Sequence, residues 1–375
     1  MPRLRWSIPG LLLALLFASV SAFAQGKTRN VVLIVCDGLR WQEVFTGADT
    51  TLMDSEHGGI WAKHEVLRRE YWRDDINVRR SALFPFLWSV VAGKGQIFGN
   101  QTKGSVARVT NGKAFSYPGY NEMITGHPDA RIDSNEFGPN PNINVFEWLN
   151  QEPEFRGKVA VYGTWDAFAD IFNQKRSGLA MQAGWTAPSN GMSTEKRELL
   201  NSLYGSLIRY EEDATYDALL QPALIDYVRS AHPRALFVGY GETDTWAHSG
   251  RYDLVLESAH HFDQFVQQLW DTMQQMPEYR DQTTFIITAD HGRGSGLTQW
   301  KDHGADVPGA ENIWIAVIGP DTPSLGERTN AGEVTQAQIA ATLAALLGRD
   351  YRGAVPAAAQ SLTDVLPSKP PASRN

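Results

Sequence analysis

Cysteine is almost missing from this chain: Cys36 stands alone among 375 residues. One thiol excludes an intrachain disulfide and any metal cage built of cysteines alone, and it suits an oxidising compartment because it has nothing to mispair with. Basic residues are in deficit, with 34 Lys and Arg against 42 Asp and Glu and a net charge of −8. Such a chain has no general electrostatic hold on nucleic acid, so no nucleic-acid scaffold is expected as a partner. Long apolar runs are missing too: LLLALLFASV over 11–20 falls short of the ~18–20 residues that span a bilayer. There is no internal repeat, and no linker-like stretch divides the chain. What is present is ample apolar material, 42% hydrophobic residues with 33 Gly and 19 Pro, which fits a packed α/β enzyme and excludes disorder or a fibrous repeat.

Arg3 and Arg5 precede the apolar run, and Ala22 and Ala24 sit at the −3 and −1 places of an A-x-A-type cleavage site. Residues 1–24 therefore read as a secretory signal, with the mature chain starting at Gln25. The expected location is periplasmic or secreted, with no membrane anchor after cleavage. One domain is expected over 25–366, followed by a flexible tail over 367–375 rich in Pro, Ser and Lys.

Asn30–Cys36 (NVVLIVC) is a continuous β-branched run, as in a strand buried on both faces. Similar runs occur at Lys158–Tyr162, Ala235–Tyr240, Thr283–Thr288 and Ile313–Ile318. Helical periodicity lies between them, at Arg80–Val91, Asn144–Asn150, Glu195–Tyr210, Tyr216–Ser230, Leu254–Met276 and Thr335–Leu347. This alternation predicts an α/β fold, a three-layer α/β/α sandwich around a mostly parallel sheet. The segments 46–75 and 163–192 lack clear periodicity and read as excursions over the strand ends.

Open α/β sheets bind ligands beyond the carboxyl ends of their strands, and that is where Asp and His gather here. The first strand runs into Asp37-Gly38. The strand 235–240 runs into GETDTWAHSG, which places Asp244 and His248 four apart. The strand 283–288 ends at Asp290-His291, and a short loop then reaches Asp302-His303. Carboxylate and imidazole together suit Zn²⁺. His57, His64, His260 and His261 read as surface residues. Further along, SYPGYNEMITG over 116–126 reads as a loop entering a short helix, with Pro118 in its first turn and Ser116 at or just before the N-cap. A hydroxyl there faces free N–H groups and the positive end of the helix dipole, a natural seat for phosphate.

In the order VVLIVCDG, SYPGYNEMITG, TDTWAH, TADHG and DHG, these motifs resemble those of the alkaline phosphatase superfamily. The flavour is closest to the type I phosphodiesterase/nucleotide pyrophosphatase-like branch. The resemblance runs from about Asn30 to Leu366, with Thr335–Gly348 similar to the family's closing helix. It implies two zinc ions per chain, or other divalent metals in their place. Asp244, His248 and His303 would hold one, and Asp37, Asp290 and His291 the other. Ser116 would be the nucleophile of a phosphoester hydrolase acting on diesters or monoesters, with a small-molecule phosphoester as its partner.

Two departures bear on the branch. Relatives commonly carry Asn three residues after the nucleophile, where this chain has Gly119; Asn121 is the candidate replacement for substrate binding. Tyr120 stands where sulfatases carry Arg after the Pro, which disfavours a sulfatase. Sulfatase or phosphotransferase activity, or a non-catalytic metal-containing binding protein, are the alternatives. Arg40 and Arg293 each follow a metal-motif aspartate by three residues and are expected to be able to swing toward a substrate.

Overall fold

The structure is a computed structural model that describes residues 26–188 and 192–367. The expected signal over 1–24 and all but the first residue of the expected tail lie outside the described residues. Ten strands occur in chain order: β1 (Asn30–Cys36), β2 (Gln96–Phe98), β3 (Ala107–Arg108), β4 (Val159–Gly163), β5 (Ala180–Ala183), β6 (Ala235–Tyr240), β7 (Thr283–Thr288), β8 (Ile315–Ile318), β9 (Gly326–Glu327) and β10 (Val334–Thr335). Eight of them form one sheet in the order β5-β4-β6-β1-β7-β8-β2-β9, and β3 pairs with β10 apart from it. The strands from β5 to β7 are parallel, and β8 runs antiparallel to both β7 and β2.

Both faces of the sheet are covered, which is why its central strands are apolar throughout. Along β1, Val32, Ile34 and Cys36 enter one core and Val31, Leu33 and Val35 the other. The first core is closed by the helices Asp217–Ala231 and Tyr252–Gln275, through residues such as Leu224, Phe262 and Leu269. The second is closed by Ser116–Thr125, Val145–Gln151 and Gln338–Leu346, through Met123, Phe146 and Leu343. This is the three-layer α/β/α sandwich that the alternation predicts.

Two expected elements differ. The helix expected over Arg80–Val91 is two pieces, Ile76–Leu83 and a π-helical turn over Leu87–Val91. Pro85 is the cause: it has no N–H, and it pushes Phe84 out of the helical region, to φ −125 and ψ 70. The last expected strand, Ile313–Ile318, begins only at Ile315. The excursions contain the helix His64–Tyr71 and, in the second, β5.

Candidate metal and nucleophile site

β6, β1 and β7 lie side by side, so their carboxyl ends open at one place. Asp37 follows β1 directly, and Asp290-His291 follow β7 within three residues. The short helix Glu242–His248 follows β6 and carries Asp244 in its first turn and His248 in its last. His303 comes from the loop after β7, where its Nδ1–H donates to the carbonyl of Ala114 at 3.2 Å. His291 likewise donates from Nδ1 to the carbonyl of Gly292 at 2.9 Å. A carbonyl only accepts, so both rings hold their proton on Nδ1 and turn Nε2 toward the cluster.

All six residues expected as ligands come together there. The Nε2 of His291 is 3.4 Å from both Asp37 Oδ1 and Asp290 Oδ2, and 3.8 Å from Asp244 Oδ1. His303 Nε2 is 3.9 Å from Asp244 Oδ1. His248 Nε2 is 3.4 Å from Asp244 Oδ2 and 2.8 Å from His303 Nε2. Two compact groups result, Asp37–Asp290–His291 and Asp244–His291–His303. His291 is common to both, a sharing that the sequence reading does not anticipate.

The donors fit a divalent cation. Asp37 Oδ1 and Asp290 Oδ2 are buried and have no hydrogen-bond partner, although each carboxylate's other oxygen is engaged. Buried acceptors of this kind are costly unless a positive charge faces them. The electrostatics agree. Burial and the neighbouring Asp37 push the Asp290 carboxyl up to about 7. Burial lowers the basicity of His291, but Asp290 and Asp37 outweigh it and raise its pKa to about 9. Burial and the nearby His291 drive His303 the other way.

Ser116 is the first residue of its helix and makes no capping bond, one position further in than the sequence reading puts it. Its Oγ lies 3.4 Å from His291 Nε2. The helix sits close because residue 119 is glycine: a Cβ there would lie 2.4 Å from the carbonyl oxygen of Asp290. Gly38 is constrained in the same way, since at φ +58 its Cβ would meet Asp244 Oδ1 at 2.7 Å. Its N–H donates to Asp290 Oδ1 at 3.0 Å.

Asn121 is placed inside the protein, behind the helix. It is fully buried, donates to the His127 carbonyl at 3.3 Å, and accepts from Asn140 and Asn142 at 3.1 Å each. Its amide holds the loop behind the helix instead of facing the cluster. The two arginines are pinned as well. Arg40 pairs with Glu43 inside the protein, and buried Arg293 binds the Asp244 carboxylate and the carbonyls of Gly38 and Lys301. Neither is free to swing. Sequence reasoning missed Tyr120, whose hydroxyl donates to Asp37 Oδ2 at 2.9 Å; its place four residues after Ser116, on one helix face, was the available signal.

A cleft of about 660 Å³ lies apart from the cluster, lined by neither Ser116 nor any of the six Asp and His residues. One of its lining residues, Asn135, accepts from the Tyr117 N–H at 2.9 Å, at the start of the helix Ser116–Thr125. Phe137 and Trp165 wall it, and Glu136, Asp166, Asp170 and Asp213 supply its charge; among the described residues no Arg, Lys or His lines it.

Residues 175–351 match the model of the Metalloenzyme superfamily. A search of curated proteins by sequence finds no match. Among solved structures, the alkaline phosphatase PafA aligns with a TM-score of 0.55 at 10% identity, over 92% of this chain and 100% of that one. A 2-O GAG sulfatase, BT1596, aligns with a TM-score of 0.56 at 12% identity, over 91% of this chain and 75% of that one. The phosphonate monoester hydrolase of Silicibacter pomeroyi aligns with a TM-score of 0.53 at 13% identity, over 93% and 78%.

Proposed function

We propose, for this metalloenzyme of alkaline phosphatase-like fold, that it is an exported phosphoester hydrolase with two zinc ions and Ser116 as nucleophile. One observation carries the reading: a buried serine hydroxyl at a helix N-terminus, 3.4 Å from the histidine common to both ligand groups. Asp37, Asp290 and His291 would hold one ion, and Asp244, His248 and His303 the other. When bound, the ions supply the positive charge that lowers the pKa of a nearby hydroxyl and neutralises a phosphoryl group in flight.

The chain's own residues do the rest. Ser116 Oγ is held where an in-line attack on phosphorus forms a serine–phosphate bond and breaks the bond to the leaving alcohol. Water then cleaves the phosphoserine and frees the enzyme. Within the first helical turn the Tyr117 N–H is taken by Asn135 and Pro118 has none, so it is the positive end of the helix dipole that the phosphoryl oxygens would meet. Residues 1–24 would direct export, which fits the lone buried cysteine.

The site's surroundings narrow the substrate. Arg40 and Arg293 are both committed to protein partners, so neither stands ready to clamp a third phosphate oxygen, which favours a diester. The test is a panel of bis-p-nitrophenyl phosphate, p-nitrophenyl phosphate and p-nitrophenyl sulfate, assayed alongside metal content. The diester should be turned over fastest and the sulfate least. A tenfold or greater monoester preference would overturn the ester assignment. Preference for the sulfate, or less than one transition metal per chain after reconstitution, would overturn the reading itself.

A further inference from the structure

Asp37 is held at three points. Its backbone carbonyl accepts from the Thr243 hydroxyl at 2.5 Å, its N–H donates to the Tyr240 carbonyl at 2.9 Å, and its Oδ2 accepts from the Tyr120 hydroxyl at 2.9 Å. Only Oδ1 is left over, buried and unpartnered, 3.4 Å from His291 Nε2. Tyr120 is itself locked. It is 1% exposed, with its ring edge-on to Phe168 at 5.0 Å and to Phe237 at 5.9 Å. It also projects from the helix of Ser116, one turn further on and along the same face.

We propose that Tyr120 is a positioning residue: its phenol turns the Asp37 carboxylate so that one oxygen is tied to the nucleophile helix and the other is offered to a divalent cation shared with Asp290 and His291. A single hydrogen bond thereby sets the register between the nucleophile and that ligand group. Removing the hydroxyl frees the carboxylate to rotate and leaves Oδ2 without its donor. Loss of such an outer partner typically costs about 10–100-fold in metal affinity.

This rests on the metal reading above, and the experiment separates the two. Zinc is titrated into metal-free wild type, Tyr120→Phe and Phe168→Leu in competition with a chromophoric chelator, with Co²⁺ absorption as a second readout and a thermal melt of each metal-free protein. In Tyr120→Phe, one site should weaken by at least about tenfold, with an altered Co²⁺ spectrum, while the other site and the metal-free melt stay near wild type. Phe168→Leu loosens the packing around the ring but keeps the hydroxyl, so it should lower the melt and leave both affinities unchanged. Equal affinities in wild type and Tyr120→Phe would overturn the proposal. So would weakened binding in Phe168→Leu, or a Tyr120→Phe protein that does not fold, since either makes the role one of packing. If wild type itself binds no zinc or cobalt, the metal reading falls and this proposal falls with it.

Discussion

Asp37, Asp290 and His291 lie buried at the ends of two central strands, whereas Asp244, His248 and His303 lie nearer the rim. The side chains of Asp290 and His291 are fully buried and that of Asp37 is 9% exposed. Those of His248, Asp244 and His303 are 47%, 20% and 11% exposed. The inner group hangs directly from the ends of two central strands, and its spare oxygens are tied by Tyr120 and by the Gly38 N–H. The outer group hangs from a seven-residue helix and a loop, and its carboxylate also carries Arg293. Rigid anchoring means that geometry is set in advance and the loss of a ligand cannot be made good; looser anchoring lets water or a neighbour substitute.

The largest expected effect follows from that contrast. Asp290→Ala should empty the inner site and lower kcat by several orders of magnitude, and added zinc should not restore it. Retention of more than about a tenth of the wild-type rate, a loss of only ~1.4 kcal/mol, would show that Asp290 is not a ligand. His248→Ala should be milder. The outer site should weaken by about 10–100-fold, and raised zinc should recover most of the rate, because water can take the place of an exposed ligand. A His248→Ala enzyme as dead as Asp290→Ala, with no rescue by zinc, would erase the distinction between the two groups.

A smaller effect sharpens what makes Asp290 special. Asp263, on the long helix Tyr252–Gln275, is also a buried carboxyl that burial pushes up to about 7. Unlike Asp290, it has both oxygens satisfied, by the N–H groups of Phe86 and Leu87 at 2.7 and 2.9 Å. Its folded pKa lies above the unfolded value of about 3.9, so the folded chain binds more protons between about pH 4 and 7. Its contribution to stability is fully present below pH 4 and is lost as pH rises through 7, with a slope of at most about 1.4 kcal/mol per pH unit. Asp263→Asn should flatten this part of the melting-temperature profile, whether or not zinc is present. An unchanged slope in the variant would assign the titration to another group.

The buried centre of the molecule was legible in the sequence and its edges were not. β1, β6 and β7 are six- to seven-residue stretches whose composition suits a doubly covered sheet, and the Asp and His after them are set by chain order alone. β2, β5 and β9 span only two to four residues each, too few to show an alternation, and they exist because a neighbouring strand offers them hydrogen bonds. The break at Pro85 was readable in principle, but the apolar residues on either side keep helical spacing across it and mask it. In the site, residue types at strand ends announced the cluster. The roles of Asn121, Tyr120 and Gly119 depend on which helix face turns inward and how near the helix comes to β7, and those are tertiary facts.

In the proposed mechanism Ser116 attacks phosphorus directly. Rapid quenching of the zinc-loaded enzyme in acid, during turnover of ³²P-labelled bis-p-nitrophenyl phosphate, is the decisive measurement. Label should be trapped, stable to acid, on the peptide that carries Ser116, and both label and turnover should vanish in Ser116→Ala while metal content and melting temperature hold. Turnover at the wild-type rate in Ser116→Ala, or a turning-over enzyme that never acquires label on that serine, would contradict it.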